Sequence, residues 1–139
     1  MTVNKDKLRD KISFIERNLR RLTRLAALPR EQFSAEDIAF HAAVHLLQTG
    51  IEAMIDIASH IVARERLGSP KTYAEAFELL AEAEIIPRDF LSTAKRMISF
   101  RNRAVHLYDK IDPDAVYAIL QQNLPDFEEF IGHIVQRYF

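Results

Sequence analysis

Apolar residues recur at three- and four-residue steps along almost the whole chain, and that period limits the fold more than any other feature of the sequence. Leu8, Ile12, Ile15, Leu19, Leu22 and Ala26 form one such series and predict a first helix over about residues 4–27, ended by Pro29. Val44, Leu47, Ile51, Met54, Ala58, Ile61 and Val62 form a longer one. It opens at Ser34-Ala-Glu-Asp37, which resembles a capping box, and stops at Gly68-Ser-Pro70. Gly50, inside this second helix, is either a weak point or a place of close packing. Thr72-Tyr-Ala-Glu75 is a second capping box, opening a short helix with Phe77, Leu79 and Leu80. Pro87 is expected at the first position of the next helix, and Asp112-Pro113 as the N-cap and first residue of a last helical region. Pro125 must kink or split that region, leaving Phe127, Phe130, Ile131, Ile134 and Val135 to pack at its end. No segment alternates with period two over a useful length, and three Gly and five Pro in 139 residues leave few places to turn. The expectation is an all-α fold, an antiparallel bundle of four or five helices in a single domain over residues 1–139.

The composition excludes several kinds of chemistry. There is no Cys, hence no disulfide and no thiolate metal site. The chain has no Gly-rich phosphate loop, no Walker or Rossmann signature and no serine in a nucleophile-elbow context. No uninterrupted apolar run approaches the roughly 18 residues of a membrane span, and the N-terminus lacks a signal-peptide core. A cytoplasmic protein without a membrane partner is therefore expected. The net charge of −1 is uninformative, but its distribution is not. Residues 1–30 carry nine Lys/Arg against three Asp/Glu, and residues 95–110 carry five against one, while the rest is net acidic. Two basic islands on a nearly neutral chain suit a local anion-binding surface.

Polar residues on the second helix form a stripe: Asp37, His41, His45, Gln48, Glu52, Asp56 and His60. His41/His45 and Asp56/His60 are i, i+4 pairs, the spacing of helical metal ligands. Only this helix offers candidate ligands, however, and no other carries a matching Glu-x-x-His element. A hydrogen-bonded polar seam is the expectation, with no metal.

The second basic island, Ser99 to Lys110, holds the densest chemistry. On a helical projection Phe90, Ala94, Met97, Ile98 and Val105 share an apolar face, with Arg101 close to its middle. Asn102, His106 and Asp109 fall together on the flank, beside Lys95 and Ser99. A charge on an apolar stripe is costly unless paired or put to use. Arg101 and His106 stand about 140° apart on the helix, a gap that a long Arg side chain can span. Such a pair suits RNA strand scission. A His can take the proton of a ribose 2′-OH or protonate the leaving oxygen, and an Arg fork can hold the phosphate. RNA carries its own nucleophile, so neither a metal nor a catalytic Ser is needed. On the residues alone, a salt-bridged Arg and a half-buried His are the commoner account of such a pattern.

The segment Arg101-Asn102-x-x-Val105-His106-x-Tyr108 resembles the Arg-x4-His-x-Tyr signature of the HepT-like toxins of the HEPN superfamily. Gln48-x-x-x-Glu52-x-x-x-Asp56-Ile-Ala-x-His60-Ile-Val, Tyr73-x-x-x-Phe77-x-x-Leu80 and the stretch from Asp112 to Phe130 are similar to the family as well. The resemblance implies a helical bundle that forms a homodimer, with the motifs of two subunits lining one cleft. It implies a metal-independent endoribonuclease toxin with Arg101, Asn102 and His106 as catalytic residues and no cofactor of its own. It further implies a nucleotidyltransferase antitoxin as partner, which uses ATP to attach AMP to Tyr108 and so silences cleavage of the RNA substrate. By charge alone, Lys95 and Arg103, with the basic first helix, would extend the RNA-binding surface. A non-catalytic HEPN scaffold that binds nucleotide or a nucleotidyltransferase is the alternative left open.

Overall fold

The computed structural model describes residues 2–139 and builds them from helices and turns, with no strand among the described residues. The α-helices are α1 (Lys5–Ala26), α2 (Ile38–Arg64), α3 (Tyr73–Glu82), α4 (Leu91–His106), α5 (Pro113–Gln122) and α6 (Pro125–Tyr138). Short 3-10 turns at Arg30–Gln32, Arg88–Phe90 and Tyr108–Lys110 join them. Pro125 splits the last helical region in two, standing in the first turn of α6 where its missing N–H costs nothing. That split brings the number of α-helices among the described residues to six. Asp112 caps α5 as the sequence implies, accepting from the Asp114 N–H at 3.1 Å.

Two of the expected starts are shifted. Pro87 precedes the 3-10 turn Arg88–Phe90, and α4 begins only at Leu91. The Ser34–Asp37 box closes a turn ahead of α2. Its Asp37 carboxylate accepts from the Ser34 N–H at 2.9 Å and from the Ser34 hydroxyl at 3.0 Å, and gives α2 no side-chain cap. The Thr72 box forms as expected. Thr72 Oγ1 accepts from the Glu75 N–H at 3.1 Å, and the Glu75 carboxylate reaches back to the Lys71 N–H.

Helix α2 is the axis of the molecule, packed against α1, α3, α4 and α5. Its length and composition would also suit a membrane span, since an 18-residue window reaches a mean hydropathy of 1.3. Half of that window is buried inside the fold, so the apolar length serves its neighbours. Side-chain bonds read out the packing direction. Along α1, residues 4, 11 and 18 meet α2 at His60, Asp56 and Leu46/Thr49 in turn, so the two helices run antiparallel. The apolar series foreseen on α1 and α2 are buried, apart from Ala26, which is half-buried. Gly50 is a place of close packing: a Cβ there would stand 3.1 Å from the Phe127 ring of α6. Asn18, almost fully buried beside it, is satisfied by the Leu46 carbonyl and the Thr49 hydroxyl at 3.1 and 2.9 Å.

His60 belongs to the core of this arrangement and not to a polar seam. It is 9% exposed, and its Nε2 accepts the Asn4 N–H at 3.0 Å, tying the start of α1 to α2. An imidazolium could not accept that bond. Burial, reinforced by the Lys7 and Arg64 charges, holds the His60 pKa below its ordinary 6.5. The unfolded chain therefore gains this proton at a higher pH than the folded one. The stability that neutral His60 contributes is complete above pH 6.5 and is lost as pH falls from there towards the folded pKa. His60→Gln keeps an acceptor without the titration. Melting temperatures scanned from about pH 7.5 to about pH 5 should fall less steeply in this variant than in the parent. Parallel curves would remove His60 as the source of the slope.

Candidate active site

The site forms where α4 meets the middle of α2 and the turn after α4 meets its beginning. The apolar face of α4 is made by Ala94, Ile98, Phe100 and Ala104, with Phe90 buried just ahead of the helix. Val105 has the angle of a core residue, but it lies on the last turn, beyond the cover of the neighbouring helices, and is 41% exposed. Phe100 falls outside the projected face, yet it is buried. Asp109 does not share the flank of Asn102 and His106, because α4 ends at His106 and the chain turns through Tyr108–Lys110. Leu107 closes the helix, its N–H bonded to the Arg103 carbonyl at 2.8 Å. Arg103 and His106 occupy the last turn, where a cation is favoured by the helix dipole.

Arg101 does sit on the core-facing side, and its charge has a counterpart. Its Nε donates to Glu52 Oε2 of α2 at 3.0 Å, and its Nη1 donates to Asn102 Oδ1 at 3.2 Å. The guanidinium lies 5.4 Å from the centre of the Tyr73 ring, at the start of α3. Gln48 Nε2 reaches the same Glu52 oxygen at 3.4 Å. With its side chain 18% exposed, Arg101 is thus held from three helices. Two of the five N–H donors of the fork are engaged by Glu52 and Asn102, leaving the others for an anion.

Arg101, Asn102 and His106 line one open depression of about 800 Å³, bordered by Lys71, Thr72 and Tyr73 ahead of and at the start of α3. A second, smaller depression of about 400 Å³ shares Asn102 and His106 and adds Lys95, Arg103 and Leu107. His106 and Asn102, one turn apart, form the ridge between them and are exposed. Asn102 is bonded to the guanidinium of Arg101, so it orients the Arg. Lys95 is paired with Glu78 of α3 at 3.1 Å, whereas the Arg103 guanidinium rests 5.9 Å from the centre of the Phe100 ring. The basic first helix borders neither depression.

Tyr108 is directed elsewhere. Its hydroxyl lies 2.5 Å from Nδ1 of His41, in the first turns of α2, and the two rings are nearly parallel, 9° apart. The other His41 nitrogen, Nε2, is 2.7 Å from the Ala35 carbonyl. A carbonyl only accepts, so Nε2 carries the hydrogen and Nδ1 accepts from the Tyr108 hydroxyl. Burial pushes the Tyr108 pKa up, keeping the phenol protonated. With both ring nitrogens engaged in this way, His41 is not paired with His45 as a metal ligand. Among the described residues, no group of three or more His, Cys, Asp or Glu stands close enough to hold a metal ion.

Three partners lie outside the expectations drawn from the sequence: Glu52 for Arg101, Tyr73 beneath the guanidinium, and His41 for Tyr108. For Glu52 there was a signal, a carboxylate on the polar stripe of one helix and a guanidinium on the apolar face of another. The contact between His41 and Tyr108 spans 67 residues and left none.

Known proteins agree with this architecture over nearly its whole extent. The family model for HepT-like ribonucleases matches residues 15–134. The mRNA nuclease HepT of Shewanella oneidensis is 34% identical over 125 residues, covering 90% of this chain and 93% of that protein. The tRNA nuclease HepT of Aphanizomenon flos-aquae is 33% identical over 89 residues, covering 64% of this chain and 60% of its own. Among solved structures, a tri-AMPylated Shewanella oneidensis HEPN toxin in complex with its MNT antitoxin superposes with a TM-score of 0.86 at 34% identity, covering 94% of this chain and 98% of that one. A cytosolic protein of Bacillus subtilis, YutE, has the same fold at 18% identity, with a TM-score of 0.81 and coverage of 97% and 90%. By the breadth of the family match and the identity to the Shewanella nuclease across almost all of both chains, this chain belongs to the HepT-like ribonuclease family.

Proposed function

We propose that this chain is an endoribonuclease toxin whose cleavage is performed by Arg101, Asn102 and His106 and silenced by AMP on Tyr108. The observation that carries the catalytic part is that these three residues line a single open depression, with Arg101 oriented from outside by Glu52. An RNA phosphate entering it meets the free N–H donors of Arg101. His106, exposed at the rim, takes the proton of the adjacent 2′-OH or gives one to the departing 5′-oxygen. Attack of the 2′-oxygen on its own phosphate forms a cyclic phosphate and releases a 5′-hydroxyl end. The developing charge on phosphorus is met by the guanidinium. Nothing in this scheme asks for a metal or a cofactor within the chain, and the cytoplasm supplies the RNA.

One His and one Arg at the end of a single helix make half of an acid–base pair. A second copy, placed as the family resemblance implies, would supply the other His across a shared cleft. The exposed apolar residues Val105 and Leu107, at the end of α4, suit such a homodimer. Arg103 extends the phosphate path, and Lys95 joins it only by giving up Glu78. The likeness to toxin chains in complexes with an MNT antitoxin supports a nucleotidyltransferase partner. That partner would use ATP to place AMP on Tyr108. Two residues from His106, a bulky phosphodiester would repel and obstruct the RNA backbone.

Several outcomes test this reading. His106→Ala should lower RNA cleavage by at least about 100-fold while the protein stays folded, and cleavage by the parent should persist in EDTA and leave 2′,3′-cyclic phosphate ends. Cleavage that survives the substitution would sink the catalytic assignment and favour a scaffold. Glu52→Gln leaves Arg101 in place without its counter-charge and should cost roughly 10-fold in cleavage, less than Arg101→Ala. An equal loss in both variants would mean that Glu52 does more than hold the guanidinium. Incubation with the nucleotidyltransferase and ATP should add AMP-sized mass to the parent and none to Tyr108→Phe. Added mass on that variant would move the modified residue elsewhere.

A further inference from the structure

His41 is a singled-out residue that neither the core nor the cleavage scheme uses, and unlike its neighbour His45, also exposed, its ring is held by hydrogen bonds. It stands exposed near the start of α2, yet both of its ring nitrogens are engaged, at 2.7 Å with the Ala35 carbonyl and at 2.5 Å with the Tyr108 hydroxyl. An exposed side chain fixed at two points loses rotamer freedom without the compensation of burial. The fixed state has a chemical consequence. The Ala35 carbonyl holds hydrogen on Nε2, so the Nδ1 lone pair faces the phenolic proton.

We propose that His41 is the general base for transfer of a nucleotidyl group to Tyr108. The proposal rests on the reading of Tyr108 as the AMP acceptor. In the step, the Tyr108 oxygen attacks the α-phosphorus of a magnesium-bound ATP held by the nucleotidyltransferase. The bond from Tyr108 Oη to the α-phosphorus forms as the bond from that phosphorus to the bridging oxygen breaks, and pyrophosphate leaves with the electron pair. The phenolic proton passes to His41 Nδ1. The resulting imidazolium keeps its Nε2–H on Ala35 and, being exposed, returns a proton to water. A base is needed because burial makes the phenol harder to ionise than a free tyrosine. The 2.5 Å contact between the phenolic oxygen and Nδ1, with Nε2 held on Ala35, sets the direction of the proton transfer.

The bland alternative is a latch, in which His41 merely ties the 108–110 turn to α2. The two roles separate by substitution. Gln at position 41 offers a carbonyl acceptor but cannot take a proton, and Ala offers neither. With the full chain, its nucleotidyltransferase and magnesium ATP, single-turnover AMP transfer is followed by intact mass and by the mass of the Tyr108 peptide. Both His41→Gln and His41→Ala should slow transfer at saturating ATP by about 100-fold or more. The KM for ATP should hold, since ATP binds on the partner. Added imidazole should restore rate to His41→Ala and do nothing for Tyr108→Phe. Melting curves of each variant show whether the chain is folded, and imidazole rescue of His41→Ala reports proton transfer even if that variant is less stable. Transfer to His41→Gln at the parent rate would leave a latch and overturn the base. Parent chain that acquires no AMP, or acquires it away from Tyr108, would overturn the reading of Tyr108 and this proposal with it. Modification of the parent at Tyr108 with undiminished rates in both His41 variants would overturn the proposal alone.

Discussion

A guanidinium cannot lie on the core-facing side of a helix without a counter-charge, and the arrangement around Arg101 follows from that constraint. Glu52 must face it from α2, which fixes how α4 lies along the central helix. The pair is half-buried, so it is neither a surface ion pair of negligible worth nor a fully dry one whose desolvation outweighs the attraction. Tyr73 and Asn102 complete the enclosure from a third helix and from α4 itself. Remove the carboxylate and the core must accept an uncompensated charge. Remove the guanidinium and the carboxylate inherits the same difficulty. Bundle packing and the proposed phosphate contact thus depend on the same few atoms.

How much of this was legible in the sequence depends on the range of the information. Helix existence and the buried series on α1 and α2 followed from apolar spacing, because the period of a helix is a local property. The proline at 125 and the Asp112 cap were legible for the same reason. The Ser34 box was legible in its chemistry but misplaced by a turn, since Asp37 can bond backward to Ser34 as readily as it can cap α2. Val105 was assigned to the core because an angular projection carries no knowledge of where along a helix the cover ends. His60 was placed on a polar stripe, although the start of α1 buries it. Tyr108 was placed by its spacing to His106, and nothing local says that its hydroxyl faces α2. Tertiary contacts decide each of these, and one chain's pattern does not encode them visibly.

Charge follows the same division. The excess of Lys and Arg in residues 1–30 is spread over α1 and the turn after it, and neither depression around His106 draws on it. Part of it is spent within α1, as in Arg9 with Asp6, and part on the neighbouring helix, as in Lys11 with Asp56 of α2. The second island is different because its side chains converge: Arg101, Arg103 and Lys95 each border a depression that His106 also borders. A count of charges along the chain could not separate the two cases, because convergence is a property of the fold.

The end of α4 at Leu107 divides labour within three residues. Had the helix continued, Tyr108 would stand about 200° around the axis from His106, carried on the same rigid rod. The turn instead gives His106 to α4 and Tyr108 to the beginning of α2, so the two residues have different mechanical supports. Changes that retune the hold on the tyrosine can accumulate in the 107–112 turn and around His41 without disturbing how α4 presents its imidazole. His106 and the tyrosine two residues after it can, in this layout, diverge at separate rates.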